Sequence, residues 1–244
     1  MAELGVLKDA RVWMGAYEIT ASIQSISLRH GVDVKDPTVL GDNTRQDAAG
    51  LRTVQAQASG LYAVDGTDEI DDVLSANLAT SNTPISFGME SAAVLDVGYA
   101  FQSLQTSYEW GGAVGDLPGY DMVASGRGSP LVSGRILHVG SETATDTETG
   151  YQLGALSATQ SMYAALHVYT VSGTSPTLDL IVQSDDNGSF TSATNRITFT
   201  QATGITSEWL SVAGAVTDDY WRASWTIGGS DTPTFAFALV CGIF

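Results

Sequence analysis

Alternation of apolar and polar residues with a period of two runs through most of this chain. Every second residue is apolar over residues 25–29, and the same alternation recurs over 54–59. This spacing is typical of a half-buried β-strand, in which successive side chains point to opposite faces. Further runs with strand character cover 99–110, 131–139, 162–171, 178–183, 196–200, 220–227 and 235–243. In the last of these both faces are apolar, which predicts a strand covered on both sides.

One segment, residues 68–79, has helical spacing instead. Acidic residues fill its first turn, where the helix dipole favours negative charge, at Asp68, Glu69, Asp71 and Asp72. Apolar residues recur at the spacing of one helix face at Ile70, Val73, Leu74 and Leu78. A helix-breaking run follows at 81–84. The pattern therefore predicts an all-β fold with one short helix.

Two polar segments divide the chain. Gly31 to Gly50 is rich in Asp, Gly, Asn and Thr, and a connection of this length inside a compact domain is usually functional. Gly140 to Gly150 has no apolar residue beyond one alanine and is interpreted as a linker or exposed loop. We expect a β-sandwich or barrel domain over 1–140, a linker over 141–150, and a smaller jelly-roll-like β-sandwich over 151–244. Within the second domain, turns are predicted at 186–188 and 228–230.

Charge narrows the classes of function. The chain has 27 acidic and 10 basic residues, a formal net charge of -17, with only two lysines. Such a field repels nucleic-acid backbones and disfavours a sequence-reading protein, although it permits DNA to be confined without adhesion. Apolar runs are too short for a membrane helix, and Glu3 and Lys8 stand where a signal peptide is apolar. We expect synthesis in a cytoplasm and no membrane partner.

No reactive cluster is visible, so we expect neither catalysis nor a cofactor. His30, His138 and His167 are far apart in sequence, and no Gly-x-Ser-x-Gly elbow accompanies them. Cys241 lies in an apolar run and is interpreted as a small buried hydrophobic residue. The glycine-rich run 111–115 lacks the Lys-Ser/Thr pair of a phosphate-binding loop.

Two binding hypotheses stay open. Residues 65–69 and 185–188 supply oxygen ligands that calcium prefers, but neither has EF-hand spacing, and a helix start and a hairpin turn explain them as well. The aromatic residues of the C-terminal section provide a candidate platform for sugar rings at Tyr151, Trp209, Tyr220 and Trp221. Alternation, however, places Trp221 on the same face as Trp225, which marks it as core.

The N-terminal section resembles the major tail tube protein of long-tailed bacteriophages. The resemblance lies in residues 8–12 (KDARV), 15–19 (GAYEI), 40–45 (LGDNTR) and 130–134 (PLVSG), together with the strands at 22–29 and 51–60. It spans roughly residues 8–140. The section from 153 onward is similar to a β-sandwich often fused to such proteins, through 154–160 (GALSATQ) and 183–187 (QSDDN).

The resemblance implies a structural virion protein of the tail. In that family subunits close into rings, the rings stack, and the β-sheets line a channel for DNA and the tape-measure protein. The expected partners are copies of the same chain, as six one-domain copies or three copies of a duplicated fold, with other tail proteins at the tube ends. The alternative is a decoration or carbohydrate-binding module displayed on a capsid or tail.

Two sets of residues are expected to serve the assembly that this resemblance implies. Contacts between rings or subunits are assigned to Lys35, Leu40, Asp42, Asn43, Thr44 and Arg45. The channel wall is assigned to Gln55, Gln57 and Ser59, with the strand at 99–110 beside it. The helix at 68–79 is expected to pack between subunits.

Overall fold

The structure, a computed structural model, describes residues 9–63 and 70–244. Within these ranges it contains fourteen strands and one α-helix. The strands are β1 (Arg11–Met14), β2 (Tyr17–Glu18), β3 (Ile23–Lys35), β4 (Ala48–Leu61), β5 (Ser81–Gly88), β6 (Val97–Gly111), β7 (Gly119–Gly126), β8 (Val132–Glu142), β9 (Asp146–Thr147), β10 (Tyr151–Gln152), β11 (Ser161–Asp185), β12 (Thr194–Thr198), β13 (Thr206–Ala213) and β14 (Tyr220–Ile243). The predicted all-β class is confirmed.

Among the described residues helix α1 covers Ile70–Asn77, and it ends two residues before the predicted segment does. Its apolar residues Ile70, Val73 and Leu74 are buried, as the helical spacing predicts. Leu78 lies just beyond the last helical residue and is 45% exposed, so its assignment to the buried face is wrong. Asp68 and Glu69, the first two acidic residues of the predicted first turn, lie outside the described residues.

The chain divides into two compact units. Unit 1 contains residues 1–21, 82–102 and 132–244, and unit 2 contains 22–81 and 103–131. Strand β6 belongs to both, since residues 97–102 lie in unit 1 and 103–111 in unit 2. Strand β8 pairs with β14, so both lie in unit 1, and the division into domains at 140 and 151 stays a prediction.

Unit 1 is built around the long strands β11 and β14, which pair along their whole length. Their pairing is irregular over 172–177 and 228–234, where Gly173 and Gly229 have positive φ. Side chains from both sides of this irregular region enter one core cluster, for example Leu166 and Leu180. Each strand therefore bends at the irregular region and contributes to two facing sheets, as strands at the corner of a β-sandwich do.

The predicted turn at 228–230 is wrong, because these residues lie within the bent strand β14. Residues 220–227 and 235–243 were expected to be separate strands, but both belong to β14, and the glycines between them form part of an irregular stretch. The predicted burial of β14 is confirmed, since residues 235–241 are buried between β11 and β8. The turn at 186–188 also lies where it was predicted.

The polar segment 140–150 is attached to the sandwich of unit 1. The backbone of β9 pairs with β14, and the Ala144 carbonyl accepts a hydrogen bond of 3.0 Å from the indole of buried Trp225. The Thr145 hydroxyl accepts another from the Ile227 amide. Composition predicted a linker or exposed loop here, and most side chains of the segment are exposed. Its main chain and the Thr145 hydroxyl nevertheless form hydrogen bonds with β14.

Close approach of β8 to β14 gives a stability prediction for Gly134. A Cβ added there would overlap the Cys241 carbonyl oxygen and lie 2.5 Å from the Gly242 Cα. Because both neighbours are backbone, Gly134→Ala is expected to lower the free energy of unfolding by about 3 kcal/mol. Gly204→Ala is the control, since nothing lies within 4 Å of its added Cβ. Urea unfolding of both variants checks this, and equal midpoints would contradict it.

Candidate functional site

Unit 2 presents a four-stranded antiparallel sheet with two different faces. Its strand order is β3-β4-β7-β6, the last represented by residues 103–111. Val54, Ala56 and Ala58 of β4 point to one face and are buried. The predicted wall residues lie between them in sequence and therefore point to the other face. Of these, Gln57 is exposed and Gln55 and Ser59 are partly exposed.

Cross-strand partners extend this second face, which we call the polar face. Directly paired residues share a face of an antiparallel sheet. The three rows, from β3 to β6, are Ser25-Ser59-Asp121-Glu109, Ser27-Gln57-Val123-Ser107 and Arg29-Gln55-Ser125-Leu104. Two members are carboxylates, one is a base and two are apolar. The polar face therefore consists mostly of short polar side chains, with one row ending in two exposed carboxylates.

The opposite face of the same sheet carries helix α1. The Gln105 side chain donates a hydrogen bond of 2.9 Å to the Leu74 carbonyl, and the Tyr108 hydroxyl donates one of 2.7 Å to the Asp71 carboxylate. Partial burial and the adjacent Asp71 charge raise the pKa of Tyr108, so its hydroxyl remains a donor at neutral pH. The helix thus covers the apolar face, while its predicted contact with other subunits stays a prediction.

Strands β3 and β4 continue past the rest of this sheet as a two-stranded arm, residues 30–54. Pairing of β4 with β7 ends at Gln55, whereas its pairing with β3 continues to Ala48, opposite Lys35. Seven residues at about 3.3 Å each give the arm a reach of about 23 Å beyond β7. The two ends of the predicted loop Gly31–Gly50 are therefore paired strands, at residues 31–35 and 48–50, and its unpaired part is residues 36–47.

The predicted contact residues all lie on this arm. Lys35 ends β3, and the other five lie in the loop 36–47 at Leu40, Asp42, Asn43, Thr44 and Arg45. Side chains organise this loop internally. Asp36 accepts a hydrogen bond of 2.9 Å from the Thr38 amide, and Arg45 forms an ion pair of 3.0 Å with Asp47. Hydrogen bonds from Thr38 lower the pKa of Asp36.

Exposure is the unusual property of the arm. Every residue from Val32 to Thr53 except Gly50 is exposed, so both faces of the hairpin contact solvent. Its large apolar side chains are among the most exposed of the described residues: Val32 47%, Val34 51%, Val39 67%, Leu40 106% and Leu51 82%. From Val32 to Thr53 the arm therefore buries almost nothing within its own subunit, and exposed apolar patches of this type mark contact sites.

A second exposed apolar loop lies at the other end of the same sheet. Residues 112–118 join β6 to β7, and Gly119 pairs with Leu61, the last residue of β4. Val114 is 109% exposed, Leu117 78% and Trp110 61%. The sequence predicted only a flexible loop here. An apolar pair of residues inside a glycine-rich run was the available signal, but exposure cannot be inferred from composition.

The histidines are placed as structural groups. His30 is exposed on the arm. His138 is buried between Trp225 and Phe237, at ring distances of 4.6 and 4.0 Å, and its Nδ1 lies 2.9 Å from Glu148. Burial lowers the pKa of His138, and the nearby Glu148 carboxylate opposes that effect.

His167 is completely buried in unit 1. Its Nδ1 lies 2.7 Å from the Gly15 carbonyl oxygen and its Nε2 lies 2.8 Å from the Ser86 hydroxyl. A carbonyl oxygen only accepts, so Nδ1 carries the proton and Nε2 accepts from Ser86. Burial lowers the pKa of His167 to about 4, which keeps the ring neutral. His167 is thus a core residue.

The remaining candidates for chemistry are also accounted for locally. Cys241 is buried, and burial raises the pKa of its thiol. Asp185 accepts hydrogen bonds from Asn187 and Ser192, which supports the turn interpretation. Residues 65–69, interpreted as a helix start, lie outside the described residues. No group of three potential metal ligands occurs among the described residues.

The proposed aromatic platform loses one member. Trp221 is fully buried and donates a hydrogen bond of 2.9 Å to the Gly154 carbonyl, so it cannot stack on a sugar. Trp209 is partly exposed and lies beside Tyr163 at a ring distance of 5.6 Å, and Tyr151 lies beneath the Arg135 guanidinium. Tyr220 is also partly exposed.

Within residues 9–63 and 70–244, no helix is long and apolar enough to span a bilayer.

Comparison with known proteins gives solved structures alone. No family model and no curated protein matches the chain. A protein in the virion of a native gene transfer agent particle is 15% identical, with a TM-score of 0.41, and the match covers 53% of this chain and 98% of that chain. A sheath-tube complex of an extracellular contractile injection system contains a chain 10% identical, with a TM-score of 0.42, covering 54% of this chain and 92% of that one.

The third structure matches nearly the whole chain. It is the SPP1 Dit protein, described as a hub adsorption apparatus of phages that infect Gram-positive hosts, with 12% identity and a TM-score of 0.39 over 97% of this chain and 100% of that chain. The matched structures thus come from a virion, a phage hub and an injection system. At these identities and scores the similarities carry no argument about the function of this chain.

Proposed function

We propose that this protein is a structural subunit of a phage-type tail tube, in which copies of the chain form stacked rings around a channel for DNA. The observation that carries the proposal is the arm. It extends about 23 Å beyond β7, is exposed on both faces and displays five large apolar side chains. These features are costly in an isolated subunit and become favourable when a neighbouring subunit covers them.

The polar face supports the role of channel wall. Its twelve cross-strand positions hold Asp121 and Glu109 against the single base Arg29. DNA binding depends on lysine and arginine side chains that neutralise phosphates and release counterions. A wall made mostly of short polar groups and carboxylates offers few such partners, so DNA slides along it.

The edge of the sheet supports assembly into rings. Among the described residues β3 pairs only with β4, so one side of its main chain is an open edge. Long exposed edges invite pairing with another chain. Lateral pairing of the unit 2 sheets of adjacent subunits closes a ring, as six subunits or as three copies of a duplicated arrangement. In this proposal the sandwich of residues 151–244 is carried on the tube exterior, and the tape-measure protein occupies the channel before DNA.

Negative-stain electron microscopy of concentrated protein tests the assembly. Rings and stacked tubes with a central channel are the expected result. Analytical ultracentrifugation of the same samples gives the assembly size. Monomers that persist at every concentration would refute the proposal, and so would a resolved channel lined mainly by lysine and arginine.

A cationic wall variant tests the polar face directly. The variant combines three substitutions in one chain: Gln55→Lys, Gln57→Lys and Ser59→Lys. Its tubes are expected to retain double-stranded DNA that is protected from nuclease, whereas wild-type tubes retain none. Each added phosphate contact steepens the salt dependence, with a log-log slope of about -0.9 per contact. The measurement is nuclease-protected DNA that pellets with tubes, assembled at several salt concentrations.

The matched control carries three lysines at exposed positions of unit 1: Thr159, Thr203 and Ser211. Its net charge equals that of the wall variant, but any DNA bound to these tubes is expected to stay sensitive to nuclease. Equal protection in the two variants would show that residues 55–59 do not line the channel.

A further inference from the structure

The exposed apolar loop at the far end of the unit 2 sheet is not used by the tube proposal. We call residues 110–118 the receiving loop, comprising the last two residues of β6 and the loop to β7. Its three exposed apolar side chains are Trp110, Val114 and Leu117. The Trp110 ring stacks on Tyr62 at a centroid distance of 5.2 Å, which supports one side of the indole and leaves the residue 61% exposed.

Strand direction places the arm and the receiving loop at opposite ends of one sheet. The arm leads into β4 at Ala48, and the receiving loop lies beside the other end of β4 at Leu61. Fourteen residues of strand span about 43 Å. A second subunit displaced along the strand direction by roughly the length of the sheet therefore brings its receiving loop to the arm tip of the first.

Charge disfavours one of the two symmetric contacts, and symmetry excludes the other from a stack, which leaves this head-to-tail contact. Residues 103–121 contain three acids, Glu109, Asp116 and Asp121, and no base. The arm contains four acids and three bases, Lys35, Arg45 and Arg52. Contact between two receiving loops places acid against acid, whereas the acids of the arm are largely balanced by its bases, so the arm meets the acidic receiving loop with less repulsion. Contact between two arms is self-complementary and closes a pair, so it cannot extend a stack.

We infer that the receiving loop of a second copy of this chain is the docking site of the arm tip, with Val39 and Leu40 packed against Trp110, Val114 and Leu117. This inference rests on the proposed function, since it names the partner surface of the arm in the stacked tube. The contact is heterologous, so each subunit uses its arm toward one neighbour and its receiving loop toward the other. Open-ended stacking follows from that arrangement.

Cysteine cross-linking tests the pairing in the full chain. The single native cysteine, Cys241, is fully buried, so added exposed cysteines are the reactive ones. The variant carrying Leu40→Cys and Val114→Cys is assembled under reducing conditions and then transferred to oxidised glutathione. A disulfide requires Cα atoms within about 7 Å, so bonding reports direct proximity. The expected result is a ladder of covalent dimers, trimers and longer chains on a non-reducing gel.

The control pairs Leu40→Cys with Ile205→Cys, an apolar residue of unit 1 that is 43% exposed. No ladder is expected from it or from either single variant. At least a tenfold excess of covalent oligomers in the first double variant supports the inference. Equal ladders in both double variants, or dimers from Leu40→Cys alone, overturn it, the latter by indicating contact between arms.

A second pair of cysteine substitutions keeps the apolar side chains of the contact, so that assembly does not fail through their loss. Thr44→Cys and Asp116→Cys lie on the same two loops and leave Leu40 and Val114 in place. Electron microscopy of each sample before oxidation separates the two claims. Tubes without a ladder from either pair overturn the docking site and leave the tube proposal standing. Wild-type protein that forms no tubes refutes the proposed function instead.

Discussion

Removal of the arm is expected to abolish tubes while leaving the subunit folded. Val32 pairs with Arg52, so replacing residues 33–51 with Asn-Gly closes the hairpin with a favoured two-residue turn. The deleted residues are exposed except Gly50, so little stability is lost. Burial of one valine and one leucine at a contact contributes about 4 kcal/mol, or about a thousandfold in association. Electron microscopy and sedimentation measure the loss of assembly.

A subtler variant controls for removal of so much chain. Val39→Asp with Leu40→Asp keeps the arm length and changes only its apolar tip, and it is expected to prevent stacking to nearly the same extent. Thr159→Asp with Thr203→Asp is the control and should leave stacking unchanged, because both residues are exposed in unit 1 and the variant adds the same charge. Urea unfolding midpoints should match those of the wild type. Tubes of normal length from the shortened protein would show that the arm does not connect rings.

Acidification from about pH 6.5 to about pH 4 is expected to reduce the free energy of unfolding through His167 by about 3 kcal/mol. The pKa of this histidine is about 4 in the folded protein and near 6.5 in the unfolded chain. Between these values the unfolded state binds more protons, so stability rises with pH and falls on acidification. The contribution is complete above pH 6.5 and lost below pH 4. Urea unfolding at half-unit pH steps measures it.

His167→Gln isolates this contribution from other titrating groups. The glutamine amide can still donate to the Gly15 carbonyl and accept from the Ser86 hydroxyl, but it does not titrate. Between about pH 6.5 and about pH 4 the free energy of unfolding of this variant should therefore fall by about 3 kcal/mol less than that of the wild type. His30→Gln, at an exposed position, should leave the slope unchanged. His138 has a pKa lowered by burial and adds to the slope in the same direction in every variant. Identical slopes for wild type and His167→Gln would contradict the prediction.

Strands were predictable from the sequence because their period follows directly from backbone geometry. The alternation at Val54, Ala56 and Ala58 identifies a buried face whichever strands lie beside it. The helix was predictable for the same reason, although its end at Asn77 was not, since Leu78 continues the apolar spacing beyond it.

Corners and pairings were not predictable. Gly228, Gly229 and Ser230 are typical of a hairpin turn, but the same small residues suit an irregular stretch in a continuing strand, and only the distant partner β11 decides between the two. Before the loop 36–47, Val32 and Val34 alternate with Asp33 and Lys35 as in a strand, but all four are exposed and the polar composition of Gly31–Gly50 predicted a loop instead. Gln55, Gln57 and Ser59 were predictable as residues of one face because they alternate with apolar residues in β4. The receiving loop was not predictable as a contact site, because composition does not show that its apolar side chains are exposed.

The bent strand β14 has a consequence for biosynthesis. It is the pairing partner of β8, β9, β10 and β11, so each of these four earlier strands lacks one pairing partner until residues 220–243 leave the ribosome. Contacts between Met162 and Ile243 join residues far apart in sequence, and such pairing is slow. Unit 1 therefore completes its folding only after residues 220–243 have been synthesised. Until then its apolar strands are a substrate for chaperones, and a truncated chain that lacks β14 is a target for proteolysis.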